Sequence, residues 1–347
     1  MKATLHPFSL PLRRPLRTAV GEIDQRNGFL LEVEDDDGHR GWGEAAPLPG
    51  WPGGNAEEVG VVLRRWCDDP GSTPRAALAP TPIAAAAVDT ALISLGAARA
   101  EVSLAVHLAG SGARSTVPVN ALIADTDPDA VVAAAARAVA DGFGTIKLKV
   151  ARSSVADDVT VVDAVRRVVG PDVALRLDAN RGWTHDEARR ALVALEPFDI
   201  EFVEEPTADL SGWPDLAGLG VTLAADESMS DPGPDPTLDL IREGHVGVLV
   251  AKIPLLSGVG PTLAAVGVVA TRRARVVITS FLDTAVGLAA ATHVAAALGP
   301  GHPAAGLATG HLLARDVAPP LEVRGGSVTV PTGVGLGIIP DLQALGG

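Results

Sequence analysis

The chain contains only four lysines, Lys2, Lys147, Lys149 and Lys252; every other basic side chain is arginine or histidine. Three of the four lie in apolar, strand-like runs: Lys147 and Lys149 in TIKLKV (145–150), and Lys252 in VGVLVAKI (246–253). Arginine stays protonated in proteins, whereas a crowded or buried lysine can release its proton. Lysine at these places points to proton transfer. Residues two apart on a strand face the same way, so Lys147 and Lys149 share a face. The charge of Lys147 disfavours the ammonium form of its neighbour, which suits Lys149 to general-base chemistry at neutral pH. Lys252 can stay charged and face developing negative charge.

Acidic residues close the runs in between. RLDAN (176–180) carries Arg176, Asp178 and Asn180; VEEP (203–206) carries Glu204 and Glu205; AADES (224–228) carries Asp226 and Glu227. The steps from Lys149 to Asp178, Glu204, Asp226 and Lys252 each span one strand-and-helix unit. These are therefore equivalent positions on successive strands, with carboxylates in the middle and lysines to either side. Asp178, Glu204 and Asp226 brought together would repel one another, and a divalent cation removes that cost. An all-oxygen set favours a hard ion, Mg²⁺ first, with Mn²⁺ as a substitute. The histidines show no His-x-His or HExxH spacing, which disfavours zinc. Glu205 and Glu227, one position on, are expected to point elsewhere and to play structural or supporting parts; Arg176 and Asn180 are expected to support the site. A base beside such a metal suits removal of a proton α to a carboxylate, the cation stabilising the enediolate. The partner this implies is a small carboxylate.

Positioning such residues takes a particular architecture. From residue 117 short apolar runs alternate with amphipathic stretches of helical length. Strands are expected over 117–123, 145–150, 173–180, 200–206, 221–228, 246–253, 275–281 and 304–310. Helices are expected over 128–141, 155–169, 184–195, 258–273 and 284–298. Alternation of this kind gives a parallel sheet with right-handed crossovers. Eight units give a (β/α)₈-type barrel, whose strand C-termini form the mouth where active sites lie. The preceding residues, 1–112, read as an α+β capping domain: strands over 2–10, 26–34 and 40–44, then helices over 55–68, 81–95 and 103–109. The barrel is assigned to 113–320, and 321–347 as two short strands returning to the capping domain. GVGPTL (258–263) lacks the third glycine of a dinucleotide-binding turn and comes late in the chain.

With 347 residues, 47% of them apolar, the chain can bury a large core. Its net charge of −14 argues against binding nucleic acid or an anionic membrane. Cys67 is the sole cysteine, which excludes an internal disulfide and suits a reducing cytoplasm. No signal-like segment opens the sequence, and 259–270 is too short to span a bilayer. A cytoplasmic monomer is the expectation.

KLK, RLDAN, VEEP, ADES and AKI, in this order and spacing, resemble the enolase superfamily in its muconate-lactonizing subgroup. The absence of histidine from VVITSF (276–281) separates the chain from the mandelate-racemase branch. GWGEAAPLPGW (41–51), VPVNALI and the short N-terminal unit are similar to the actinobacterial o-succinylbenzoate synthase family. That resemblance implies a syn-dehydration of 2-succinyl-6-hydroxy-2,4-cyclohexadiene-1-carboxylate in menaquinone synthesis, with Lys149 as base. It also implies specificity in the capping loops 18–27 and 47–54, and substrate contacts from Thr279, Ser280 and Gly306. N-succinylamino-acid racemases and dipeptide epimerases share the subgroup and the two lysines. A non-catalytic barrel with a binding role is the reading of another class; the intact set of charges argues against it.

Overall fold

The computed structural model describes residues 1–18, 21–70, 78, 80–231, 233–272 and 274–345. The chain opens with an antiparallel meander of β1 (Lys2–Thr18), β2 (Gly21–Glu34) and β3 (Arg40–Ala45). Helices α1 (Ala56–Asp68), α2 (Pro82–Arg99) and α3 (Leu104–Ala109) follow. Asn55 and Glu58 start α1 with a reciprocal capping box. β3 can lie against α2 because Gly41 and Gly43 face it: a Cβ on Gly43 would sit 2.0 Å from the Ala87 carbonyl oxygen. β1 runs past its expected end at residue 10, with a register shift between Pro11 and Leu16. Residues 21–27, expected as part of a capping loop, belong to β2, and residues 19–20 of that loop lie outside the described set.

The expected strand 117–123 is two strands, β4 (Thr116–Pro118) and β5 (Ala121–Ile123). β5 enters a seven-stranded parallel sheet with β6 (Thr145–Lys149), β7 (Ala174–Asp178), β8 (Ile200–Glu204), β9 (Leu223–Ala225), β10 (Val248–Lys252) and β11 (Arg275–Thr279). The connecting helices are α4 (Pro128–Ala140), α5 (Val155–Val169), α6 (His185–Leu195), α7 (Trp213–Leu216), α8 (Pro234–Glu243) and α9 (Val259–Ala270); α10 (Ala285–Ala297) follows β11. The sheet curls, and its edges meet through residues 305–306. Ala305 bridges to Val119 and Gly306 to Thr279, so the expected eighth strand is reduced to single bridges. Glycine at 306 permits this closure, since a Cβ there would meet Thr279 Oγ1 at 2.3 Å. β12 (Val323–Arg324) and β13 (Ser327–Thr329) pair with β4 rather than with the meander, while Leu336 and Leu345 join the apolar core of the N-terminal unit.

Side-chain alternation divides the barrel strands into two faces. Outward residues such as Leu148, Leu177, Val203, Leu249 and Ile278 are buried under the helices. Inward, Phe202, Ala224, Val248, Val250 and Val277 form a small plug. Lys149, Asp178 and Glu204 sit side by side above it: the register pairs Lys149 with Asp178 and Asp178 with Glu204, and places Lys252 beside Thr279. α2 is long and apolar enough to cross a membrane, but 67% of it is buried within the protein.

Cap and barrel share a core and a polar joint. Phe281, Val286, Ala289 and Ala290 pack with the residues of the meander. Buried Glu44 of β3 accepts from Thr284 N at 3.0 Å, Thr284 Oγ1 at 2.6 Å and Gly287 N at 2.8 Å, occupying the N-terminus of α10. Burial, with the nearby charge of Asp283, raises the Glu44 carboxyl from 4.5 to about 7. A carboxyl raised in the fold stabilises it fully below the unfolded-state value and loses that contribution as pH rises through the folded one. The loss, on the order of 3 kcal/mol, should fall between pH 4.5 and about 7. Glu44→Gln cannot titrate there, so its stability relative to the wild type should rise with pH across this window, as measured by urea unfolding at each pH.

Candidate active site

The ends of β6, β7, β8 and β10 and the turn after β9 bring charged side chains to the mouth, in two sets of opposite-charge contacts: Lys149–Asp178–Lys147–Glu204 and Asp226–Lys252. Lys149 Nζ donates to Asp178 Oδ2 at 2.6 Å and to Asn180 Oδ1 at 2.6 Å. Lys147 Nζ lies 2.8 Å from the same Asp178 oxygen and donates to both Glu204 oxygens, at 2.8 and 2.6 Å. Lys252 Nζ is bonded to both oxygens of Asp226. All three carboxylates are buried. The two lysines of the TIKLKV strand are thus neighbours on one carboxylate oxygen, as their spacing required.

Burial sets the electrostatics. It opposes ionisation of Asp178, but the Lys147 and Lys149 ammoniums outweigh it and hold that carboxyl below the usual range. It also opposes charge on Lys147, yet Asp178, Glu204 and Asp226 prevail and raise the amine. Asp226 goes the other way. Burial, with Glu227 and Glu204 beside it, pushes its carboxyl well above the usual range despite Lys252.

Glu227 is where strand alternation misleads. The strand ends at Ala225, and a 3-10 turn over Glu227–Met229 follows Asp226 at once. A period of two no longer applies, and Glu227 turns back toward the mouth. Glu204, Asp226 and Glu227 each present an oxygen within 4.8 Å of the others. Glu227 Oε1 accepts from Asn180 Nδ2 at 2.8 Å, while its buried Oε2 has no hydrogen-bond partner. An all-carboxylate donor set with one orphaned acceptor fits a hard divalent cation.

Glu205 faces away from the mouth and builds it from behind. Its Oε1 accepts from Asp226 N at 2.7 Å and Ser228 N at 2.9 Å; its Oε2 accepts from Ser228 Oγ at 2.8 Å and Arg181 Nε at 2.9 Å. Arg176 does not reach the carboxylate row. It lies on the inward face one step below Asp178, bonded to Glu201 at 2.7 Å and the Ala304 carbonyl at 2.7 Å, its guanidinium 4.9 Å over Phe202. Its support is to the floor of the barrel. Asn180 does reach, linking Lys149 to Glu227. Thr279 and Ser280 stand at the mouth with their hydroxyls engaged, Thr279 to the Gly306 carbonyl at 3.2 Å and Ser280 to Thr309 at 2.8 Å. Trp51, from the capping loop 47–54, was not singled out by residue pattern; its ring lies 5.1 Å from Lys252 Nζ.

Residues 130–344 match the family model "Enolase C-terminal domain-like", and residues 1–95 match "MenC, N-terminal domain". The chain belongs to the enolase superfamily. It is 34% identical over 318 residues to o-succinylbenzoate synthase of Thermobifida fusca, covering 90% of this chain and 84% of that one. It is 28% identical over 314 residues to a hydrophobic dipeptide epimerase of Enterococcus faecalis, covering 83% and 84%. Muconate lactonizing enzyme from Pseudomonas fluorescens, solved with muconolactone, has the same fold: TM-score 0.87 at 22% identity, over 99% of this chain and 97% of that one. Members of the superfamily are enzymes of lyase, epimerase or racemase type and bind Mg²⁺.

Partners behind a metal ligand commonly set affinity by about 10–100-fold. In Glu205→Gln an amide nitrogen would face either Arg181 or the Asp226 backbone, donor against donor. Calorimetric titration with Mg²⁺ should show at least about tenfold weaker binding. Unchanged affinity would mean that Glu205 does not set the position of Asp226.

Proposed function

We propose that this protein is an o-succinylbenzoate synthase, dehydrating 2-succinyl-6-hydroxy-2,4-cyclohexadiene-1-carboxylate to 2-succinylbenzoate in menaquinone biosynthesis. One observation carries the chemistry: Lys149 on β6 and Lys252 on β10 flank, at the two ends, a buried row of carboxylates supplied from the strands between them. Asp178, Glu204 and Asp226 are the residues that would hold Mg²⁺, with Mn²⁺ as a substitute; Glu204 and Asp226 share their oxygen cluster with Glu227, while Asp178 is held beside it by Lys147 and Lys149. The cation supplies positive charge to the substrate carboxylate as charge develops on its oxygens.

Lys149, entering the step as the free amine, takes the proton from the carbon α to the ring carboxylate and becomes the ammonium; Asn180 Oδ1 and Asp178 orient it. Lys252 remains charged: burial opposes this, but Asp226, Glu227 and Glu204 raise its amine above the ordinary lysine value. Its ammonium then faces the enolate from the side opposite Lys149. The proton held by Lys149 leaves with the departing hydroxide as water, on the same face. Thr279, Ser280 and Gly306 line the adjoining edge as candidate substrate contacts.

The 34% identity to the Thermobifida fusca enzyme, over 90% of this chain, is in keeping with dehydration. The segment after the barrel closure, GLATGH (306–311), supplies no acidic group to grip a substrate ammonium, which weighs against a dipeptide epimerase. Racemisation of N-succinylamino acids remains the second reading, because paired lysines on opposite sides of a substrate carbon suit it equally.

Turnover of the cyclohexadiene carboxylate with Mg²⁺, run beside an N-succinylamino-acid racemisation assay, tests the proposal; racemisation without dehydration rejects it. Positioned general bases contribute about 10²–10⁴-fold, so Lys149→Arg should lose activity on that scale while Mg²⁺ affinity is kept. Near-native turnover in that variant would remove Lys149 from the mechanism.

A further inference from the structure

The cap touches the lysine at the far end of the row through Trp51, and the loop that carries Trp51 is held by an arginine outside the row. Arg26, on β2, is 1% exposed. Its guanidinium donates to four backbone carbonyls: Nε to Leu282 at 2.9 Å, Nη1 to Pro47 at 2.8 Å, and Nη2 to Ala46 at 2.6 Å and Phe281 at 3.2 Å. Ala46 and Pro47 open the capping loop that carries Trp51. Phe281 and Leu282 form the turn leaving β11. A single planar fork therefore ties a loop of the cap to a loop of the barrel. Glu44 and Asp283, both buried, balance its charge.

What the two loops hold is directed at Lys252. The rings of Trp51 and Phe281 meet edge to face, their centroids 5.6 Å apart at 80°. Trp51 also lies against the Lys252 ammonium, at cation–π distance. Leu282 has φ of 56°, a left-handed conformation that is costly for a leucine and persists only where its surroundings hold it. Its carbonyl is one of those Arg26 binds. One side chain thus bonds both to the strained turn and to the loop that carries the indole.

We infer that Arg26 is a positioning residue for Lys252: by clamping the 46–51 loop to the 281–282 turn, it sets Trp51 over the ammonium and closes that side of the mouth. The inference rests on the reading of Lys252 as the second lysine of the proposed reaction. Lysine at position 26 would keep the charge that Glu44 and Asp283 require, but a compact ammonium cannot reproduce the fork that spans both loops.

The scarcity of lysine supplies a direct test. The Mg²⁺-loaded protein is treated briefly with an amine-acylating reagent and each site is quantified by mass spectrometry. In Arg26→Lys and in Trp51→Ala, acylation of Lys252 should rise about tenfold while Lys147 and Lys149 change less than about twofold, the scale of one lost cation–π contact. Trp51→Phe, which restores an aromatic face, should label Lys252 as the wild type does. Equal increases at all three lysines would show a general loosening of the barrel and overturn the inference, as would unchanged labelling of Lys252. Trp51→Ala alters a partly exposed loop residue and, should Arg26→Lys fail to fold, still tests what Arg26 is inferred to position: unchanged labelling of Lys252 there overturns the inference. Labelling needs no turnover, so rejection of the dehydration reaction leaves this result readable.

Discussion

Buried carboxylates in one small space are the constraint to which the rest of the molecule answers. Glu204, Asp226 and Glu227 bring oxygens within 4.8 Å of one another. Two like charges at about 4 Å, at an effective dielectric near 20, repel by about 4 kcal/mol. A fold only marginally stable overall cannot leave several such terms uncompensated. Lysines interleaved between the acids answer part of it: Lys147 joins Asp178 to Glu204, and Lys252 takes both oxygens of Asp226. The elevated Asp226 carboxyl is the part left unanswered, and it belongs to the cluster that Glu204, Asp226 and Glu227 form. Stability and chemistry therefore ask for the same charges at the same depth.

Meeting that demand requires register more than composition. A shift of one residue in β7 would turn Asp178 outward into the apolar layer and bring Leu177 to the mouth. Above the strands the backbone itself is shaped for the site. Ala151, Asn180, Arg181, Glu205, Ser257 and Leu282 all have positive φ, and all fall in turns after barrel strands. Such conformations persist only where neighbours over-determine them. Glu205 shows how: its carboxylate collects the Asp226 and Ser228 amides together with Arg181, fixing the turn that presents Asp226. The barrel thus carries a second ring of polar contacts whose product is the position of the first.

Much of this was legible in the amino-acid pattern because β/α units repeat. Equal positions on successive units put Lys149, Asp178, Glu204, Asp226 and Lys252 on one rim, and helix starts such as Asn55 and Thr184 announce themselves by capping chemistry. What stayed hidden breaks the repeat. Glu227 follows the last strand residue into a 3-10 turn, where alternation carries no information. The segment 304–310 contributes single bridges because Gly306 must pass close to Thr279, and glycine weakens any strand signal. α8 begins among prolines, which a first helical turn tolerates although they read as loop. Arg176 shares a motif with Asp178, yet one step along an inward face carries it from the mouth to the floor. Arg26 and Trp51 could not be found from local pattern at all, since their partners lie on distant segments.

The division between barrel and cap follows from the same physics. Strand ends can deliver carboxylates and amines at one height, but an open rim leaves them in water, where each interaction is weakened. Closing the rim with an apolar surface strengthens every charge inside it, provided that surface is held in place without polar groups of its own turned inward. The cap does this by placing its own charged groups at the joint: Glu44 at the start of α10 and Arg26 on carbonyls of both units. Trp51 is left to present its ring to Lys252, backed edge to face by the buried Phe281. Residues 46–51 therefore meet the mouth from the cap, while the carboxylate row takes its positions from strand register.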